Sequence, residues 1–202
     1  PVVSFSINKS DGVTAVSESL KQDTFEHFHI NTEIKVIPNF IDLSRSKKQK
    51  KDHFKLAIFP NGEKLIVHTS NFRKVKRVED VVHTFDRIRQ VVPSKLLLVG
   101  DGPERLHIEE LCRELDACDD IRFLGKLDAV EEVLSVADLF IMPSEKESFG
   151  LAALEAMACE VPLISTNAGG LPELNIQGKT GYLAEVGDVD AMFKYATHIL
   201  DE

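Results

Sequence analysis

Short apolar runs bounded by glycine and proline alternate along most of this chain with segments whose apolar residues recur every three or four positions. Leu65-Ile66-Val67-His68-Thr69 reads as a strand, and Leu96-Leu97-Leu98-Val99 as one buried on both faces. Ile121 to Leu124, Leu139 to Met142, Val161 to Ser165 and Gly181 to Leu183 continue the series. Between the first two, Val78 to Val91 sets Val78, Val81, Val82, Phe85 and Ile88 at helical spacing. Pro103 is expected to open a helix running through Leu115, because proline is tolerated in a first helical turn. Further helices are predicted over about Val130 to Val136, Gly150 to Met157 and Asp190 to Leu200. Such βαβα alternation predicts an α/β fold whose parallel sheet carries helices on both faces. Ligands of such sheets bind beyond the carboxyl ends of the strands, so the turns there are the places to search.

The first forty residues read differently. One short strand (Asp11 to Ser17) and one helix (Leu20 to Phe28) are expected, with Ser17-Glu18-Ser19 supplying capping side chains. An extended run follows from Ile34 to Ile37. The stretch from Asp42 to Lys55 is poor in apolar residues and crowded by Arg45, Lys47, Lys48, Lys50, Lys51 and Lys55. A nucleic-acid patch and a solvated connecting segment both fit such a run. The second is preferred, because the chain as a whole is acidic.

With 24 Lys and Arg against 33 Asp and Glu, the formal charge is −9. That balance argues against nucleic-acid partners, whose binding rests on phosphate neutralisation, and against docking on anionic membranes. The 202 residues allow one large domain, or one domain with part of another. No apolar run is long enough to span a bilayer. Three cysteines without CxxC spacing suit a reducing, cytoplasmic setting. The seven histidines give no metal motif; His27 and His29 are two apart on the predicted helix and point to different faces.

Glu155 is the strongest local anomaly. It interrupts Leu151 to Ala158, a helix otherwise apolar on every side, which should therefore be buried. A buried carboxylate is costly unless paired, and a salt-bridged core glutamate is the plain alternative to a ligand contact. The preceding Glu147-Ser148-Phe149-Gly150 tilts the choice. Ser148 is expected to cap the first turn, and the free amides there suit a phosphate. Two carboxylates flanking a phosphate pocket fit a ligand with hydroxyls on both sides of its diphosphate, and a nucleotide sugar is one. Arg73, Lys74, Lys76 and Arg77 follow the first strand of this unit and sit at a helix start, where cations oppose the dipole unless an anion is bound. Gly100-Asp101-Gly102-Pro103 is weaker evidence and lacks the GxGxxG dinucleotide fingerprint. Gly169-Gly170 reads as pocket lining.

Glu147 and Glu155, with seven residues between them beginning Ser148-Phe149-Gly150, resemble the paired-glutamate motif of the retaining glycosyltransferases of family 4. The stretch Ala137 to Glu155 (ADLFIMPSEKESFGLAALE) is specific for that family, and the resemblance covers essentially the whole chain. It implies a Rossmann-like parallel sheet with helices on both faces, forming one half of a two-domain GT-B fold. It also implies residue roles. Glu147 would hold donor-sugar hydroxyls, Glu155 the ribose diol, and the amides of Phe149, Gly150 and Leu151 the diphosphate. Lys76 matches the phosphate-binding lysine; Asn71 stands where the partner arginine is usual, so Arg73 is taken as its substitute. Glu147, Arg73 and Lys76 are thus the expected catalytic group. Lys126-Leu127 corresponds to the loop whose backbone holds the base. Glu160 departs from a usual glycine, as a surface difference.

Within the family, Phe5 to Asn8, Ile37 to Asp42 and Ser70 to Arg77 resemble enzymes that move N-acetylglucosamine from UDP to L-malate in bacillithiol biosynthesis. The ligands implied are UDP-N-acetylglucosamine or UDP, with L-malate as acceptor of the complete enzyme and no metal or other cofactor. Residues 1–41 are expected to be the tail of an amino-terminal domain, 42–62 a connecting segment, and 63–202 a nucleotide-sugar-binding domain lacking its final crossing helices. Such a half is expected to be inactive alone. A non-catalytic nucleotide-sugar-binding module, or a family transferase with another acceptor, are the competing readings.

Overall fold

A computed structural model describes residues 2–44 and 61–201. The basic run from Arg45 through Lys55 lies outside the described residues, and with it the greater part of the expected connecting segment. The chain opens with α1 (Val2–Asn8), β1 (Val13–Ala15), α2 (Glu18–His27) and β2 (Ile34–Val36). The expectation of one helix and one strand before the Ile34 run therefore misses α1. Its VVSFSIN sequence is β-branched and none of its residues is buried, so no burial pattern marks it. β1 and β2 pair in parallel, Val13 opposite Ile34. Ser17 caps α2 as expected, its Oγ accepting from the Leu20 amide at 3.0 Å. The helix stops at His27, which leaves His29 outside it.

The larger unit runs β3 (Lys64–Ser70), α3 (Val78–Arg89), β4 (Ser94–Gly100), α4 (Arg105–Glu114), β5 (Ile121–Gly125), α5 (Val130–Leu134) and β6 (Leu139–Met142). It continues with α6 (Leu151–Ala158), β7 (Leu163–Thr166), α7 (Leu171–Leu174), β8 (Gly181–Ala184) and α8 (Val189–Leu200). The six strands β3 to β8 form one parallel sheet in the order β5-β4-β3-β6-β7-β8. Pro103 does not open α4. It sits in the turn before Arg105, with Glu104 at the cap. The short α7 was not expected.

Alternation along the strands builds two apolar layers. Ile66, Leu96, Leu98, Leu139 and Ile141 face α3, α4 and α8, including Val81, Phe85, Ile108 and Met192. Leu65, Val67, Leu97, Val99 and Phe140 face the other side, with Leu134 of α5, Ala153 and Ala156 of α6 and Leu171 of α7. All five apolar residues of the α3 stripe are buried. Each such side chain stabilises by about 1.5–3 kcal/mol, which is what makes the stripe decisive for placing the helix.

Strand order reverses between β3 and β6. Chain from β3 proceeds outward through β4 and β5, then returns to β6 and moves the other way. The carboxyl ends of β3 and β6 therefore open a crevice at a topological switch point, the usual ligand position in open α/β sheets. The amino-terminal unit is tied to one wall of it. Ser17 Oγ donates to the Ser148 carbonyl at 2.6 Å, and the Glu173 carboxylate accepts from the Glu18 and Ser19 amides at 3.0 and 2.8 Å.

Candidate functional site

A cleft of about 560 Å³ lies at this switch point. Arg73, Val75 and Lys76 line it from the loop after β3, Glu145 to Ser148 from the loop after β6, and Gly169 from the loop after β7. At its centre Lys76 Nζ meets Glu147 Oε2 at 2.5 Å, with both side chains largely covered. A second tie, from the Glu145 amide to the Val75 carbonyl at 2.8 Å, holds the two loops together at backbone level. Arg73 lies exposed at the rim. The predicted group of Glu147, Arg73 and Lys76 is thus brought into one cleft.

Arg77 plays a different part. It caps α3 in the left-handed conformation (φ 48°) and binds both oxygens of Asp80, at 2.5 and 3.0 Å. Asp80 and Glu79 occupy the first turn of α3. Cations at this helix start therefore have carboxylates beside them, and an anion is not needed to offset the dipole there. Lys74 to Lys76 form a single 3-10 turn ahead of the helix.

Glycines set how closely the loops approach. A Cβ on Gly169, which has φ +57°, would stand 2.0 Å from the Glu147 carbonyl oxygen. The Gly170 amide donates to that same carbonyl at 2.8 Å. Both glycines thus support the Glu147 backbone, and Gly169 also lines the cleft. On the other wall, a Cβ on Gly100 would lie 1.8 Å from the Ser70 carbonyl oxygen.

Helix α6 departs from expectation in two ways. Ser148 does not cap it: Gly150 is the N-cap residue at φ +101°, and no side chain caps the first turn. Ser148 is exposed, and its carbonyl accepts from Ser17 Oγ. Nor is the helix buried all round. Only Ala153 and Ala156 are fully covered and Leu151 is exposed, because the eight-residue helix packs one face on the sheet. Phe149 and Gly150 are buried beside the Leu151 start, whose first-turn amides have no side-chain cap and lie at the positive end of the helix dipole.

Glu155 is half-buried and is not among the residues lining the cleft. Burial raises its carboxyl above the ordinary carboxylate value, and the nearby Glu131 charge adds to the rise. Lys126 and Leu127 are exposed on the loop between β5 and α5, also apart from the cleft lining. That loop leads into α5, which carries Glu131 towards Glu155.

Sequence reasoning missed several contributors. Ser19, Leu20 and Asp23 of α2 close one side of the cleft, and Asn71 and Lys146 complete it. His68 is fully buried between the two loop roots, with Nδ1 2.8 Å from the Ile141 carbonyl and Nε2 2.8 Å from Ser70 Oγ. Burial pushes its imidazole down to about 4; the Ile141 bond opposes that shift and the Lys76 charge adds to it. A histidine inside an apolar run was the available signal. Among the described residues no group of three or more His, Cys, Asp or Glu could hold a metal ion. No described helix is long and apolar enough to cross a membrane. All three cysteines are free.

A doubly covered parallel sheet with a charged cleft at its switch point is the Rossmann-like half of a GT-B fold. Over its full length the chain superposes on sucrose-phosphate synthase from Thermosynechococcus elongatus with a TM-score of 0.89 and 27% identity, covering 52% of that protein. It superposes equally fully on Anabaena HepE in complex with UDP and glucose, with a TM-score of 0.88, 25% identity and 56% of that chain covered. The profile described as glycosyl transferases group 1 matches residues 48–202, and that of glycosyltransferase family 4 matches residues 1–45. The chain belongs to the group 1 glycosyltransferases. It is 47% identical, over 100% of its own length and 53% of the relative, to N-acetyl-alpha-D-glucosaminyl L-malate synthase from Bacillus anthracis. The chain spans about half the length of the curated relatives it matches.

Proposed function

We propose that this chain is the donor-binding part of a retaining glycosyltransferase that moves N-acetylglucosamine from UDP-N-acetylglucosamine to L-malate in the cytoplasm. The observation that carries the reading is the cleft at the β3–β6 switch point, where Lys76 and Glu147 meet with Arg73 at the rim. The relative that acts with N-acetylglucosamine and malate, and the neighbour that holds UDP and glucose, support that assignment.

In this reading Lys76, Arg73 and the first-turn amides of α6 hold the diphosphate and steady it as a leaving group. Preorganised donors aimed at developing charge are the strongest device available for such a step. Glu147 orients the donor sugar, Glu155 accepts the ribose hydroxyls, and the Lys126-Leu127 backbone meets the base. Phe149, Gly150 and Leu151 supply the anion-binding backbone. Residues 1–41 would belong to the amino-terminal domain, 42–62 would connect, and 63–202 would bind the donor. The acceptor must be held against the anomeric carbon, and such positioning supplies several kcal/mol of a barrier. Much of that contact is assigned to the rest of the protein.

Calorimetry with UDP and a malate-dependent assay of UDP release test the reading together. UDP should bind to this chain, whereas turnover should require a version extended to the full length of the relatives. Absence of UDP binding by either version would overturn the donor site. Equal turnover by both would overturn the assignment of a half.

A further inference from the structure

His68 occupies the fork where β3 and β6 part. Their ladder consists of Ile66 opposite Leu139 and Val67 opposite Phe140. Beyond it β3 continues against β4 up to Ser70, while Ile141 and Met142 pair with β7. The imidazole stands in this fork with no exposure to solvent, between the rings of Phe72 and Phe140 at 6.4 and 6.5 Å. Its Nδ1 reaches the Ile141 carbonyl on one strand, and its Nε2 reaches Ser70 Oγ at the end of the other.

The chemistry of the partners fixes the proton. A carbonyl only accepts, so Nδ1 carries the hydrogen and donates to Ile141. The neutral ring then accepts at Nε2 from the Ser70 hydroxyl. Ser70 Oγ in turn accepts from the Phe72 amide at 3.3 Å. One directional chain therefore runs from Phe72 through Ser70 and His68 to Ile141. Phe72 needs such support: it is fully buried and held at φ +35°, where side-chain-bearing residues seldom rest. Arg73 and Lys76 follow directly on this side of the fork, and Glu147 follows five residues after the strand on the other.

We propose that His68, through Ser70, is a positioning residue that sets the separation of the Lys76 and Glu147 loops and so holds the cleft ready for a nucleoside diphosphate. The proposal rests on the donor-site reading for its ligand but not for its geometry. Neither residue touches the ligand in this scheme. Both act by fixing a loop root, in the manner of the supporting groups behind a preorganised site.

The test uses the chain as it stands, with UDP as probe and the variants His68→Asn, Ser70→Ala and Lys76→Ala. Asparagine can still donate to Ile141 but cannot also reach Ser70. His68→Asn and Ser70→Ala should each weaken UDP binding about five- to tenfold, and by less than twofold once Lys76 is already alanine. Unchanged affinity in the folded variants would overturn the proposal. So would an equal loss with and without Lys76, which is what general destabilisation gives. Should His68→Asn fail to fold, Ser70→Ala decides the matter by the same comparison. If the native chain binds no UDP, the donor reading fails, and amide exchange decides the positioning role. Ser70→Ala should then speed exchange from Phe72 to Lys76 at least tenfold while β4 is unchanged. No local acceleration would sink it, as would a nitrogen spectrum placing the ring proton on Nε2.

Discussion

Lys76 Nζ lies 2.5 Å from Glu147 Oε2, joining two loops that are 71 residues apart in the chain. Across the cleft the cation proposed for the phosphate side and the carboxylate proposed for the sugar side are each other's partner. In the proposed donor site a diphosphate would compete with Glu147 for Lys76, and binding would have to separate the pair. The pair holds the two largely covered side chains against each other.

The two members should therefore separate by ligand. Lys76→Ala should weaken UDP and UDP-N-acetylglucosamine alike, by about tenfold to a hundredfold, the range for one charged hydrogen bond. Glu147→Ala should leave UDP affinity equal or higher, because Lys76 is released, while weakening the nucleotide sugar. Calorimetry with both ligands measures this, and equal losses for Glu147→Ala would contradict the sugar-side role.

Glu155 should trade stability against binding. Its carboxyl is raised by burial and by Glu131, so the ionised form is disfavoured in the folded state relative to the unfolded one. Glu155→Gln should raise the thermal midpoint at neutral pH. The gain should shrink as pH falls towards the ordinary carboxylate value and vanish below it, where both states are protonated. UDP affinity should drop about tenfold, and 2′-deoxy-UDP should be discriminated less by the variant than by the native chain.

His68 should make folding stability fall on acidification. The unfolded chain takes up its proton near the ordinary value of 6.5, the folded chain only near 4. The contribution is complete above 6.5, is lost progressively as pH falls from there to 4, and is gone below. At 1.36 kcal/mol per pKa unit it amounts to about 3 kcal/mol. Urea unfolding between pH 7.5 and 4 should show a steeper decline for the native chain than for His68→Asn.

Gly169→Ala should be severe. Its Cβ would press to 2.0 Å of the Glu147 carbonyl, and φ +57° adds strain for any side chain. A loss of more than 2 kcal/mol is expected, on the order of other core steric errors, with UDP-N-acetylglucosamine binding reduced in whatever folds. Gly178→Ala is the control. It too has positive φ (+71°), but its Cβ would meet nothing within 4 Å, so it should cost distinctly less.

Much of this protein was legible in its residue pattern because the pattern records burial. Val78, Val81, Val82, Phe85 and Ile88 lie on one buried helix face, and Leu139 to Met142 form a strand at the residues expected. Strand–helix alternation required a parallel sheet, since parallel neighbours need a crossover connection. Glu147 and the cations from Arg73 to Arg77 stood out by their chemistry and their places after strands, and the family resemblance pointed to Lys76 and Arg73 among them. What the chain could not disclose locally was strand order, and strand order makes the site. Only the placement of β3 beside β6 brings Lys76 to Glu147 and sets His68 in the fork between them. The same limit explains two misplaced details: Ser148 had the chemistry of a cap, but Gly150 takes the N-cap position, and the apolar stretch around Glu155 is fully covered only at Ala153 and Ala156, because one face of the helix packs on the sheet. Local pattern determines which faces must be buried and which groups carry charge. Contacts between residues tens of positions apart are chosen by the packing of the whole sheet, and that decision belongs to the tertiary structure.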